Sequence, residues 1–158
     1  MGTNKQTTMK RIIAIDPGKN GSIAIREGNG IVQVDKMPDT CADLRDYFEN
    51  ITQDADEVVA YLEEVHAMPG NGAVSMFTFG NGYGHLEQVL ADFRIRTVKV
   101  RPSQWEKMLS LTDKKGTSKA DHKRRLKDKA QQLFPNIKVT AVNQDSLLIS
   151  EYACLNER

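Results

Sequence analysis

The chain contains little cysteine and no long apolar run. Its only two cysteines, Cys41 and Cys154, have no partner at zinc-ligand spacing, so the sequence indicates neither a disulfide framework nor a zinc site. No apolar stretch approaches the roughly 18 residues that a membrane-spanning helix requires. Residues 2–10 also lack the apolar centre of a secretory signal. We therefore expect a cytoplasmic protein in a reducing compartment, with no membrane contact.

Domain organisation follows from length and composition. At 158 residues the chain fits one domain, and 39% hydrophobic with 27% charged residues is ordinary for a globular protein. We expect residues 11–158 to form that domain. We interpret residues 1–10 as a flexible arm or a remnant of cloning.

The net charge of +1 conceals a strong local imbalance. Residues 114–129 contain eight basic side chains and two acidic ones, a local charge of +6, so the remainder of the chain is about five negative. A basic segment beside an acidic remainder is typical of a DNA-binding enzyme with a carboxylate metal site. A solvated helix face produces the same charge run, and charge alone does not separate the two interpretations.

Apolar periodicity and turn residues predict the element order β-β-β-α-β-α-β-α-α-α. The first three strands form an antiparallel meander, and the glycines at 80, 82 and 84 are possible interruptions of the long second helix. This order favours a mixed sheet flanked by helices, an α/β or α+β fold, over a doubly wound nucleotide-binding fold. The predicted strands are residues 11–16, 22–26, 31–35, 57–63 and 95–100, and the predicted helices are 41–50, 74–93, a short one from 102, 118–134 and 145–155.

Three carboxylates fall at the ends of predicted elements. Asp16 closes the first strand, Glu63 or Glu64 closes the fourth, and Asp145 opens the last helix. Acids that share one site repel each other unless hard cations neutralise them, so this pattern indicates magnesium or manganese. Two such ions would suit phosphodiester hydrolysis. An aspartate before Pro-Gly is, however, also a common turn residue.

Five segments carry the most specific functional signal. They are IIAIDPG (12–18), LEEVHAMPG with FGNGYG behind it (62–70 and 79–84), RPSQW (101–105), the stretch from SKAD to LFP (118–135) and DSLLISEYA (145–153). In this order, and over nearly the whole chain from residue 11, they resemble RuvC-like Holliday junction resolvases, particularly the phage type.

This resemblance implies an RNase H-like fold, with a five-stranded mixed sheet of three antiparallel and two parallel strands between helices. It implies an endodeoxyribonuclease that hydrolyses phosphodiester bonds in four-way junctions and in other branched DNA. It also implies up to two Mg²⁺ or Mn²⁺ ions per active site, a homodimer that cuts opposed strands, and a bacterial or phage-infected cytoplasm.

Carried over by position, the resemblance assigns catalysis and metal binding to Asp16, Glu63 and Asp145. Family members usually have a further acid or histidine one helical turn before the last acid, where this chain has Val142. Asn143 supplying a carbonyl oxygen, a shifted alignment or a weakened variant would each account for this departure. It also supports a second hypothesis, a branched-DNA-binding protein with little or no cleavage.

The basic segment gains a role under the same resemblance. Its DNA-binding candidates contact backbone phosphates without reading sequence. The helix over 74–93 is either a dimer element or plain core, and its apolar spacing favours core. The DNA-binding candidates are Lys114, Lys115, Lys119, Lys123, Arg124 and Lys127.

Other distinctive residues have ordinary interpretations. His85 and His122 have no metal-ligand partner at sequence spacing, and His66, just beyond Glu63, is more typical of a surface or packing residue than of one that faces a junction. Trp105 is more typical of a core anchor than of a base-stacking platform. The first strand and its turn also resemble the phosphate turn of actin-like ATPases, but those require a second nucleotide-binding half, for which 158 residues leave no room.

Overall fold

A computed structural model describes residues 8–28 and 30–158. It contains the predicted order of elements, and most boundaries lie within two residues of those predicted. Residues 1–7 of the expected arm lie outside the described residues, and the first strand begins at Lys10. The elements are β1 Lys10–Asp16, β2 Ser22–Glu27, β3 Gly30–Lys36, α1 Cys41–Thr52, β4 Glu57–Glu63, α2 Ala73–Asp92, β5 Arg96–Val100, α3 Pro102–Met108, α4 Lys119–Leu133 and α5 Gln144–Asn156.

The five strands form one mixed sheet in the order β3-β2-β1-β4-β5. Strands β1, β2 and β3 are antiparallel neighbours, whereas β4 pairs parallel with both β1 and β5. The expected fold class, three antiparallel plus two parallel strands flanked by helices, is confirmed. Because β1 and β4 run in the same direction, their last residues lie at the same edge of the sheet.

Alternating side chains along β1 pack into two separate hydrophobic cores, one on each face of the sheet. Ile12 and Ala14 pack on one face with residues of α3, α4 and α5, whereas Ile13 and Ile15 pack on the other face with α1 and α2. Strand residues alternate between faces, so a central strand covered on both sides is apolar at every position. This explains the continuous apolar run before Asp16.

Side-chain caps fix where two helices begin. Thr40 Oγ1 accepts a hydrogen bond from Asp43 N at 3.1 Å, and Ser118 Oγ accepts one from Asp121 N at 3.1 Å. A cap of this kind contributes about 1 kcal/mol of stability. Thr40 and Ser118 are therefore the N-cap residues of α1 and α4.

Helix α2 is continuous through its glycines and differs between its two halves. Leu86, Val89 and Leu90 in the second half are buried, so this half is core, as its spacing predicts. In the first half, Val74 is 81% exposed and Phe77 is 78% exposed, so the core prediction is wrong for these two residues. In the described residues, no helix is both long and apolar enough to cross a bilayer.

Candidate metal centre

Two of the three predicted acids come together because of strand direction. Asp16 is the last residue of β1 and Glu63 is the last residue of β4. These strands are parallel neighbours, with Ile15 opposite Leu62 in the register. The carboxylates therefore follow adjacent, buried strand positions at one edge of the sheet.

The third acid reaches the same edge on helix α5. Asp145 is the second residue of this helix, which packs across β1 and β2. A buried hydrogen bond of 2.6 Å joins Ser146 Oγ to Ser22 Oγ, and Ser22 pairs with Asp16 across the sheet. This contact fixes the first turn of α5 beside the end of β1.

Electrostatics shows that the three acids share one environment. Burial raises the pKa of Asp16 to about 8, and the charges of Asp145 and Glu63 add to this increase. Burial also raises the pKa of Glu63 to about 7, with Asp145 again contributing. Burial likewise raises the pKa of Asp145, although a hydrogen bond with Gln144 and nearby positive charge oppose it. Without a cation, these groups resist being ionised together.

The donors at this edge suit a hard cation. Asp145 Oδ1 is buried and has no hydrogen-bond partner in the described part of the chain, which is costly unless another group pairs with it. Within residues 8–28 and 30–158, no group of three His, Cys, Asp or Glu side chains is placed to hold a metal ion by itself. Magnesium commonly takes only one or two carboxylates, with water and substrate phosphates completing its coordination, so a site of that smaller kind is what these acids could form.

The structure separates Glu63 from its neighbour Glu64. The Glu64 carboxylate lies 3.7 Å from His66 and acts on Lys99, whereas Glu63 interacts with Asp145. Adjacent residues at a strand end point to opposite faces, which accounts for the division. Glu63 is therefore the glutamate that joins the cluster.

Val142 and Asn143 belong to the turn before α5. Val142 is half-buried, and its backbone N donates to Thr140 Oγ1 at 3.3 Å. Asn143 Oδ1 accepts from Thr140 N at 2.8 Å, and its Nδ2 donates to the Lys138 carbonyl at 3.2 Å. The Asn143 amide thus stabilises the turn, and binding a metal would require its oxygen to share or lose the Thr140 contact.

A chain of charged residues that the sequence did not reveal leads towards the cluster. Arg125 contacts Asp113 at 2.8 Å, Asp113 contacts His122 Nδ1 at 2.7 Å, and His122 Nε2 lies 3.3 Å from Glu106. Glu106 helps to raise the pKa of Glu63, and His122 acts to lower the pKa of Asp145. His122 therefore has two acidic partners, which its sequence spacing concealed because they come from other elements.

Trp105 is a second residue whose role the sequence did not reveal. It is buried in the core, as expected, but its Nε1 donates a hydrogen bond of 3.0 Å to Glu63 Oε2. The RPSQW segment marked this position without indicating its partner.

One of the predicted DNA-binding residues lies within electrostatic reach of this edge. Lys119, Lys123 and Lys127 are exposed on one face of α4, and Lys123 acts to lower the pKa of Asp145. Arg124 instead pairs with Asp121 at 2.8 Å, and the exposed Lys114 and Lys115 lie in the turn before the helix. Of the six candidates, Lys123 is thus the one that acts on the acid cluster.

A groove of about 1180 Å³ lies elsewhere, between the β1–β2 turn, α1 and α2. Lys19, Cys41 and His85 line it, and Cys41 Sγ lies 3.0 Å from His85 Nδ1. None of the three clustered acids lines this groove. The two cysteines are unpaired thiols, with Cys41 exposed and Cys154 buried.

Comparison with known proteins gives likeness in structure only. No protein-family model and no curated protein sequence matches this chain. The fold is similar to that of T. thermophilus RuvC in complex with Holliday junction substrate, at 11% identity, over 93% of this chain and 95% of that chain, with a TM-score of 0.61. A second Thermus thermophilus RuvC structure is 15% identical over 92% of this chain and 96% of its own, with a TM-score of 0.59. This chain therefore has the fold of RuvC.

Proposed function

We propose that this protein is a metal-dependent endonuclease that cleaves Holliday junctions and other branched DNA by hydrolysing phosphodiester bonds. The observation that carries the proposal is the convergence of Asp16, Glu63 and Asp145 at one sheet edge, where burial and the charge of Asp145 raise the pKa of the other two. The RuvC fold and the basic face of α4 beside this edge support it.

The cluster would hold Mg²⁺ or Mn²⁺, with up to two ions per site. Bound there, the metal supplies an activated water and neutralises charge that develops on the phosphate. Asp16, Glu63 and Asp145 would contribute their carboxylate oxygens as ligands and must release their protons to do so. The unpaired Oδ1 of Asp145 is one of these donor oxygens.

The basic face would bind the DNA backbone. Lys119, Lys123 and Lys127 recur every four residues, which matches a row of phosphates better than a set of base edges. Such contacts bind through charge and do not read sequence. Junction selectivity would then come from the shape of the DNA, and the RuvC neighbour was captured with a Holliday junction substrate.

We also propose a homodimer in a bacterial or phage-infected cytoplasm. Two opposed strands of a four-way junction must be cut to resolve it, and one acid cluster serves one strand. The exposed Val74 and Phe77 on the first half of α2 offer an apolar surface for contact between two copies.

One observation favours a second candidate function, junction binding without effective cleavage. Val142 offers no donor, and both ends of the Asn143 amide are hydrogen-bonded within the turn. A centre with only three acidic ligands would bind metal more weakly than one with four.

The test is cleavage of a synthetic four-way junction beside a linear duplex and a fork, with magnesium, manganese or chelator. We expect paired nicks in the junction that require metal and disappear in Asp16→Asn. Asp39→Asn is the matched control, because Asp39 is an exposed aspartate outside the cluster. Tight junction binding with no cutting under any metal would instead support the binding protein, and cutting by Asp16→Asn at the wild-type rate would overturn the proposed site.

A further inference from the structure

The only tryptophan of the chain touches the acid cluster directly. Trp105 is 1% exposed, and its Nε1 donates to Glu63 Oε2 at 3.0 Å. Packing alone does not require this contact, since a phenyl ring would also fill an apolar site. The indole N–H is the part of Trp105 that links the core to Glu63.

Short connections fix the geometry of this pair. Val100 ends β5 and lies opposite Glu63 in the parallel register, and the Glu64 backbone N donates to the Val100 carbonyl at 2.8 Å. Only Arg101 separates Val100 from helix α3. The Arg101 backbone N donates to Gln104 Oε1 at 2.9 Å, which holds the first turn of α3. Trp105 therefore has little freedom to move relative to Glu63.

The chemistry of the indole suits a supporting role beside a metal ligand. Indole N–H donates a hydrogen bond and accepts none, so it cannot compete for a cation. By engaging Oε2 it leaves Glu63 Oε1 for a ligand and restricts rotation of the carboxylate. Its hydrogen bond also lowers the pKa of Glu63 against the larger effect of burial.

We infer that Trp105 is a positioning residue for the metal centre, orienting the Glu63 carboxylate towards a divalent cation through its indole N–H. This inference rests on the proposed function, because it takes Glu63 as a ligand. Partners that orient metal ligands commonly matter by about ten- to a hundredfold in metal affinity or activity. We expect Trp105→Phe to weaken Mg²⁺ binding by about tenfold, at the lower end of this range.

The contact also makes Trp105 a reporter of the site. Because it is the only indole, all tryptophan emission comes from the side chain that contacts Glu63. When a cation occupies the free Glu63 oxygen, the charge next to the indole changes. We expect Mg²⁺ to change the emission saturably in the wild-type protein and to have no such effect in Asp16→Asn, which loses a ligand without touching Trp105.

The experiment combines calorimetric Mg²⁺ titration of wild type, Trp105→Phe and Phe48→Leu with fluorescence titration of wild type and Asp16→Asn. Phe48 is a fully buried aromatic residue on the opposite face of the sheet, so its variant controls for loss of core packing. The positioning role would be supported if Mg²⁺ binding is weakened in Trp105→Phe and not in Phe48→Leu, and if Mg²⁺ changes the wild-type emission saturably.

Three outcomes would count against this inference. Equal Mg²⁺ affinity in wild type and Trp105→Phe would overturn it while leaving the proposed function intact. If Trp105→Phe does not fold, the fluorescence titration of wild type is the test. Tryptophan emission that does not change with Mg²⁺, although calorimetry shows that Mg²⁺ binds, would overturn the positioning role. A wild-type protein that binds no divalent cation at all would overturn both the proposed metal site and this inference.

Discussion

The two ends of helix α5 carry acids with opposite environments. Asp145 at its start meets Asp16 and Glu63, and burial raises the pKa of all three groups. Glu157 directly follows the last residue of α5. It lies at the other edge of the sheet, in contact with side chains from β1, β4 and β5. The Glu157 side chain is only 11% exposed, and burial acts to raise its pKa too, so burial alone does not explain the difference.

The chain itself neutralises Glu157. Its carboxylate oxygens lie 2.6 Å from Lys10 Nζ and 2.7 Å from Arg96 Nη2, and Tyr61 OH donates to it at 2.7 Å. Burial would raise the pKa of Glu157, but these hydrogen bonds lower it to about 2. Among the described residues, no lysine or arginine forms an ion pair with Asp145, and this contrast supports the proposal that the acid cluster takes a cation from solution.

The largest expected effect is on cleavage. Asp145→Asn removes a ligand, and we expect it to slow metal-dependent junction cleavage by about a thousandfold, equivalent to about 4 kcal/mol of transition-state stabilisation. Glu157→Gln should cleave at the wild-type rate, because this glutamate lies at the opposite edge of the sheet. Single-turnover rates of the two variants at saturating protein make the comparison. Equal losses in both would contradict the division of roles.

The acid cluster and Glu157 should make the free energy of unfolding depend on pH in opposite directions. Asp16 and Glu63 have raised folded pKa values, about 8 and 7, so the folded, metal-free protein retains protons that the unfolded chain loses. We expect the free energy of unfolding to fall by several kcal/mol between pH 5 and pH 8, because both groups contribute to the loss over this range. Glu157, with its lowered pKa, should contribute stability that is lost as pH falls from about 4.5 towards 2.

Urea unfolding in chelator at several pH values measures both trends. Asp16→Asn should flatten the decline above pH 5, and Glu157→Gln should flatten the loss at low pH. Wild-type stability that rises steadily from pH 5 to pH 8 would show that the acids are not held in the environment described.

A smaller effect is expected from Glu157→Gln on stability at neutral pH. The variant loses the charge that Lys10 and Arg96 face, and we expect the free energy of unfolding to fall by about 2 kcal/mol. Denaturant unfolding at pH 7 provides the value. Asp145→Asn, which removes an unpaired charge, should be as stable as wild type or more so in chelator, and the reverse order of the two variants would contradict the comparison.

The smallest expected effect concerns the basic face beside the acid cluster. If Lys123 contacts one phosphate, Lys123→Ala should reduce the slope of log K against log salt by about 0.9. Junction binding in chelator at several salt concentrations measures this slope. Lys36→Ala, an exposed lysine at the end of β3, should leave it unchanged. Equal slopes for wild type and Lys123→Ala would remove Lys123 from the interface.

Local sequence signals predicted the framework of this comparison. The apolar run ending at Asp16, the strand ending at Glu63 and the start of α4 each depend on neighbouring residues, and the structure has them within a residue of where they were expected. Element order and a mixed sheet follow from such signals, because alternation and turn residues act over a few positions.

Contacts between distant segments could not be predicted in this way. Trp105 and Glu63 are 42 residues apart, and Glu157 is 147 residues from Lys10. No short spacing marks such pairs, because they depend on how strands and helices pack. The division of α2 into an exposed and a buried half has the same origin, since both halves contain apolar residues at helical spacing.

The most direct test of the unpaired acid cluster is thermal melting at pH 8 of wild type and Asp145→Asn, each in chelator and in Mg²⁺. An ion that binds the folded state and not the unfolded chain stabilises the folded state. Mg²⁺ should therefore raise the melting temperature of wild type by several degrees and leave that of the variant nearly unchanged. An equal rise in both proteins, or none in wild type, would contradict the claim that this end of the sheet awaits a divalent cation.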